Sequence, residues 1–87
     1  MSFELKQNYP NPFNPETKIE FALPKSSSVK MVVYDLLGSE VTTLVNENMQ
    51  AGYHTVTFNG TNLASGIYLY RLESGNYSAV KKFILMK

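Results

Sequence analysis

The sequence predicts an all-β fold, an immunoglobulin-like antiparallel β-sandwich of about seven strands. Three observations predict it. Short runs of alternating apolar and polar residues recur roughly every 8–12 residues, the spacing of a sandwich. Turn signals built on Gly, Asn and Ser separate those runs. No stretch keeps a helical period: Leu36-Leu37 could begin a helical turn, but Gly38 follows too soon. The chain has neither cysteine nor tryptophan, so the pattern supports the architecture and excludes a true antibody-type domain.

Met1-Ser2 reads as an appended start, and the remainder as one domain cut from something longer. Phe3 to Gln7 alternates and predicts a short edge strand. Gln7 to Thr17 holds three of the four prolines and three asparagines. Each proline fixes φ near −65° and removes a donor, and it drives the residue before it toward extended geometry. Asn11 and Asn14 are positioned to bond their own local backbone in the prolines' place. A flexible linker would be rich in Gly and Ser; this segment is predicted to be stiff and ordered, with Tyr9 and Phe13 as two apolar anchors.

Thr17 to Leu23 is the clearest strand, with Ile19, Phe21 and Leu23 on one face, Lys18 and Glu20 on the other, and Pro24 as the stop. Lys25 to Ser28 reads as a turn. Val29 to Asp35 is a central strand with Val29, Met31 and Val33 directed inward. Leu36 to Ser39 closes a hairpin in which Gly38 takes a left-handed conformation beside a bulge and Asp35 caps the turn. Glu40 to Val45 returns, and Asn46 to Gly52 reads as a long polar loop. Tyr53 to Phe58 alternates with His54, Val56 and Phe58 on one face. Asn59-Gly60 begins a loop through Gly66 with Leu63 plugged inward. Ile67 to Leu72 suits a central strand, Ser74 to Asn76 a tight turn, and Tyr77 to about Met86 the last strand.

Eighty-seven residues allow one domain and one modest core. Hydrophobic content of 44% with 17% charge is that of an ordinary globular chain. A net charge of +1 provides no field for nucleic acid or an acidic membrane. Without cysteine there is neither a disulfide framework nor a thiolate metal site. No apolar run is long enough for a transmembrane segment, and the start does not read as a signal peptide.

The inventory for chemistry is thin, and no catalytic, cofactor-binding or metal-binding residues are assigned. His54 is the only histidine; its face, shared with Val56 and Phe58, makes it a core or cross-strand residue bonded to backbone, and one histidine is no zinc site. The serines sit in turn-type clusters without a base, and the glutamates lie on turns or solvent faces. Calcium would need more clustered carboxylates than the Asn-rich turns offer. An enzyme is not expected. Tyr53 and Tyr77, near turns, are the candidates for stacking on sugar rings, which defines an alternative as a sugar-binding module of a secreted polysaccharide-degrading enzyme. A further alternative is a structural spacer or interaction domain.

Several blocks resemble one bacterial family. They are Leu5 to Pro15 with its Asn11-Pro12-Phe13-Asn14-Pro15 core, Ile19…Phe21…Leu23-Pro24, Val33 to Gly38, Gly52-Tyr53-His54, Leu63 to Tyr68, and Lys81-Lys82-Phe83. From Phe3 to Lys87 the chain is similar to the type A C-terminal sorting domains of type IX (Por) secretion system cargo in Bacteroidetes and relatives. Phe58-Asn59 stands where that family often has tryptophan followed by aspartate. The resemblance implies an immunoglobulin-like fold akin to flagellar hook-capping modules. It implies a non-catalytic signal, with no cofactor, that follows a larger cargo domain and addresses it through the periplasm to the outer-membrane translocon. A sortase-like surface protease then removes the signal in many members, leaving the cargo secreted or on the outer-membrane surface of a Gram-negative cell. The residues it marks for partner recognition are Asn11, Pro12, Phe13, Asn14, Pro15, Gly38, Gly66, Tyr68, Lys81, Lys82 and Phe83. On this reading the translocon reads the last strand around Lys81-Lys82, which offers an edge for β-augmentation, and the proline block holds the fold.

Overall fold

In a computed structural model, which describes residues 2–87, seven antiparallel strands form two facing sheets. Met1, half of the proposed appended start, lies outside the described residues. The strands are β1 (Glu4–Leu5), β2 (Glu16–Leu23), β3 (Ser27–Asp35), β4 (Glu40–Met49), β5 (Gly52–Asn59), β6 (Gly66–Ser74) and β7 (Tyr77–Leu85). One sheet has the order β1-β2-β5, the other β4-β3-β6-β7. Among the described residues there is no helix. The predicted all-β sandwich and its strand number hold.

Strand alternation decides which side chains meet between the sheets. Ile19, Phe21 and Leu23 of β2 pack there against Val29, Met31 and Val33 of β3 and Tyr70 and Leu72 of β6, all without solvent exposure. His54 is half-buried, pairs with Phe21 across β2–β5, stacks on its ring at 5.4 Å and shares a hydrogen bond with the Gln50 carbonyl at 2.7 Å. It is the cross-strand histidine that its face predicts.

Several boundaries differ from the sequence reading. The first strand shrinks to Glu4–Leu5, because from Lys6 the chain turns into the proline segment. β3 starts two residues earlier, inside the Lys25–Ser28 turn, and β4 runs on to Met49 through residues read as loop. Backbone pairing explains both: Ser27 lies opposite Met49 and Ser28 opposite Asn48, so ladder bonds outweigh the low strand preference of Ser and Asn. Gln50-Ala51 alone carries the chain to the other sheet.

The β3–β4 hairpin matches its prediction. Gly38 has φ +87°, register shifts interrupt the pairing, and the Asp35 carboxylate accepts from Leu37 N at 2.9 Å and Ser39 N at 3.0 Å. Asp35→Ala removes Oδ1, the acceptor of both bonds, and is expected to cost about 1 kcal/mol. In a domain of this size that lowers the thermal midpoint by about 4–8 °C; an unchanged midpoint would show that the turn holds without the cap.

Candidate functional site

The Pro/Asn segment between β1 and β2 is the chain's distinctive element, and it joins the sheets. The peptide bonds before Pro10, Pro12 and Pro15 are cis. On one side Tyr9 exchanges backbone hydrogen bonds with Lys18 of β2 at 2.9 and 3.0 Å. On the other, Phe13 N donates to the Ile84 carbonyl of β7 and Phe13 O accepts from Met86 N, both at 2.9 Å. Pro15 O receives Gly60 N at 2.8 Å. A segment poor in donors thus spends those it has on two different sheets.

Phe13 is the apolar anchor, 2% exposed, with its ring 5.1 Å from Phe83 and 5.9 Å from Phe58. Gly60 lies under it because any Cβ there would come within 2.9 Å of Leu85 Cδ2. Tyr9 is not the second anchor: its side chain is 82% exposed, since the backbone exchange with Lys18 turns it outward. The second anchor is polar and escaped sequence reasoning. Asn8 is buried; its Nδ2 donates to Pro10 O and to Thr17 Oγ1, both at 3.0 Å, while Thr17 Oγ1 donates to Pro10 O at 2.8 Å. Asn8 N donates to the Tyr70 hydroxyl at 2.9 Å, and that hydroxyl donates to Lys6 O at 2.7 Å. Burial pushes the Tyr70 phenol up to about 12, the hydrogen bond from Asn8 opposing the rise. Tyr at an inward strand position with Asn before Tyr-Pro was the available signal, although nothing in the sequence pairs residues so far apart.

Asn11 also departs from expectation. Its Oδ1 accepts from Ile84 N at 3.0 Å, a bond to β7 and not to local backbone. Together with Gln7 Nε2, which donates to the Lys82 carbonyl at 2.7 Å, this occupies the outer edge of β7 over its second half. A strand predicted to offer its edge for augmentation is therefore already covered from Lys82 O to Met86 N. Among the described residues, the stretch around Ser78 and Val80 is the part of that edge left without such bonds.

The residues marked for recognition divide by burial. Phe13, Tyr68 and Phe83 lie in one aromatic cluster, with Tyr68 edge-on to Phe83 at 6.4 Å and its hydroxyl donating to Ala64 O at 2.6 Å. Buried rings hold the fold and present nothing to a partner. Asn11, Pro12, Asn14, Gly38 and Lys82 are exposed, while Pro15, Gly66 and Lys81 are half-buried. Lys81 and Lys82 do not make one basic spot: consecutive strand residues face opposite ways, so Lys82 lies on the outer face and Lys81 turns toward the gap between the sheets. Tyr53 and Tyr77 likewise fail to share a platform. Tyr53 is exposed on β5 under the Lys6 ammonium, whereas Tyr77 of β7 stacks on Phe3 at 4.7 Å. Among the described residues no group of His, Asp and Glu side chains is arranged to hold a metal, and no helix is long and apolar enough to cross a membrane.

Residues 7–86 match the family model described as the secretion system C-terminal sorting domain. The fold is similar to part of a solved structure of PorZ, described as an essential bacterial surface component of the type-IX secretion system of Porphyromonas gingivalis. The TM-score is 0.63 at 20% identity, over 98% of this chain and 11% of the PorZ chain. No curated protein matches the sequence.

Proposed function

The chain belongs to the family of secretion system C-terminal sorting domains, and on that membership we propose that residues 1–87 act as one non-catalytic address module following a larger cargo domain. It is a sorting signal of type IX secretion cargo. The outer-membrane translocon is its partner, the route runs through the periplasm, and the cargo ends outside the cell or on the outer-membrane surface of a Gram-negative bacterium. A sortase-like surface protease is the second partner, removing the module after passage.

One observation carries the assignment of the reading residues. Lys82 is exposed on β7 while its neighbour Phe83 is fully buried against Phe13, so a charged label is mounted on a strand fixed by the core. A preordered element loses less entropy on docking. Lys82 and the half-buried Lys81 provide the charge that the translocon reads, while Asn11 to Pro15, Gly66 and Tyr68 hold β7 in place and Gly38 shapes the distant hairpin.

The test is a reporter carrying this domain at its C-terminus, expressed in a host with and without the type IX translocon. The intact fusion is expected outside the cell only in the competent host. Lys81→Ala with Lys82→Ala is expected to abolish that export. Loss of the exposed Lys82 should leave the thermal midpoint nearly unchanged. Because Lys81 is half-buried, the midpoint of the double variant is compared with that of the intact domain, so that lost export is not lost fold. Export equal to that of the intact domain would remove the two lysines from the readout. Periplasmic retention of the intact fusion in the competent host would remove the sorting role itself.

A further inference from the structure

The two outer faces of the sandwich differ in a way that one-sided burial does not require. An antiparallel sheet with one solvated face normally turns polar residues outward. The three-stranded sheet does so, with Lys18, Glu20, Thr55 and Thr57; among the described residues, Tyr53 near the start of β5, opposite Ala22, is the one large apolar residue its strands turn outward. The four-stranded sheet turns out Val32 and Tyr34 of β3, Ile67 and Leu69 of β6, and Val80 and Ile84 of β7. Val32 is already covered by its neighbours at 1% exposed, and Tyr34, Leu69 and Ile84 are half-buried. Ile67 is 38% and Val80 52% exposed.

The charges around this patch are arranged by register. Tyr34 lies opposite Glu40 on one side and Leu69 on the other, and Leu69 lies opposite Lys82. One row across the sheet therefore reads Glu40, Tyr34, Leu69, Lys82, with strands about 4.8 Å apart. That row is complementary to its own reverse. A two-fold axis parallel to the strands, above the line between Tyr34 and Leu69, sets Glu40 of one copy against Lys82 of another, twice, and sets Tyr34 against Leu69. The next outward row reads Thr43, Val32, Arg71, Val80. The same rotation brings the exposed Val80 over Thr43 and lays the apolar stem of Arg71 across β3 at Val32, whose own side chain its neighbours already cover.

We propose that the outer face of the four-stranded sheet is a self-association surface, paired with the same face of a second copy of this chain through two Glu40–Lys82 ion pairs around Tyr34 and Leu69. The patch spans only about 15–20 Å on a side. That falls short of the roughly 800 Å² per partner of a stable interface, so the dimer is weak and concentration-dependent. Pairing also covers Lys82, so a dimer masks the label proposed above, although the pairing does not depend on that role.

Sedimentation equilibrium of this 87-residue chain at low ionic strength tests the pairing. The weight-average mass is expected to rise from 9.8 kDa toward twice that value with increasing concentration. Lys82→Glu and Glu40→Lys, each checked for an unchanged thermal midpoint, should each weaken association by about tenfold or more. An equimolar mixture of the two variants should recover it, and so should the variant carrying both changes. A chain that stays monomeric at millimolar concentration overturns the proposal. So does a mixture that associates no better than its separate components. If the chain is monomeric while export still requires Tyr34 and Leu69, another protein covers this face and self-association is again excluded. The reporter assay separates the two readings: the doubly reversed variant regains the dimer but not export if the translocon reads Lys82.

Discussion

Phe13→Ala is expected to cost this domain about 3–5 kcal/mol, the range for truncating a buried aromatic ring in a packed core. The ring sits against Phe83 and Phe58, and Gly60 and Leu85 close the floor beneath it. A cavity at that point has flat aromatic walls and a glycine that cannot fill it. Relaxation is further limited because Phe13 holds β7 through both its N–H and its carbonyl. Domains of this kind have roughly 5–15 kcal/mol in total, so the variant should be largely unfolded in urea concentrations that the parent withstands. Tyr9→Ala, two prolines earlier, should change stability by less than about 0.5 kcal/mol, since its ring is exposed. Urea denaturation of the pair checks both figures. A Phe13→Ala loss below about 1 kcal/mol would mean that the proline segment is laid on the sandwich and does not hold it.

That contrast marks the limit of what the sequence alone reveals. The strands were legible because alternation carries its own physical cause: Ile19, Phe21 and Leu23, or Val29, Met31 and Val33, can be buried together only in an extended chain. The hairpin was legible because Asp35 and Gly38 act within the same short turn. Tyr9 and Phe13 look alike in sequence, and what separates them is pairing with strands at very different distances along the chain, through Lys18 and Ile84 respectively. The ends of β3 and β4 were lost for the same reason, since Ser27, Ser28, Asn48 and Met49 become strand through each other and not through their own preferences.

The recognition residues show the limit more sharply. A family motif marks Phe13, Tyr68 and Phe83 together with Lys81 and Lys82, but it mixes residues that build the domain with residues that face out of it. Alternation within β7 by itself assigns Lys81 and Lys82 to opposite faces, so that part was readable from the residue pattern alone. That Lys82 stands in line with Glu40 was not, because the row crosses four strands whose order the sequence does not state.

Tyr70→Phe is the second substitution with a large expected effect, and its dependence on pH identifies the cause. The Tyr70 hydroxyl takes the Asn8 N–H and donates to Lys6 O, so it joins β6 to the start of the proline segment inside the core. Phenylalanine keeps the ring but leaves a buried donor without its acceptor, expected to cost about 1–3 kcal/mol at neutral pH. The phenol is raised from 10.0 to about 12 in the folded state, chiefly by burial. The folded chain therefore keeps the proton at a pH where the unfolded chain has released it, and stability falls as pH rises. The tyrosine's contribution is complete below pH 10 and is lost progressively up to about pH 12. Phenylalanine has nothing to titrate, so the stability gap between parent and variant should be constant below pH 10 and then narrow. Urea midpoints for both proteins, from neutral pH up to about 12, measure that gap directly. A gap that stays constant through the alkaline range would show that the hydroxyl ionises as readily in the folded chain as in the unfolded one. The bonds to Asn8 and Lys6 would then be open to water, and the hold of β6 on the proline segment would rest on the packing of the ring.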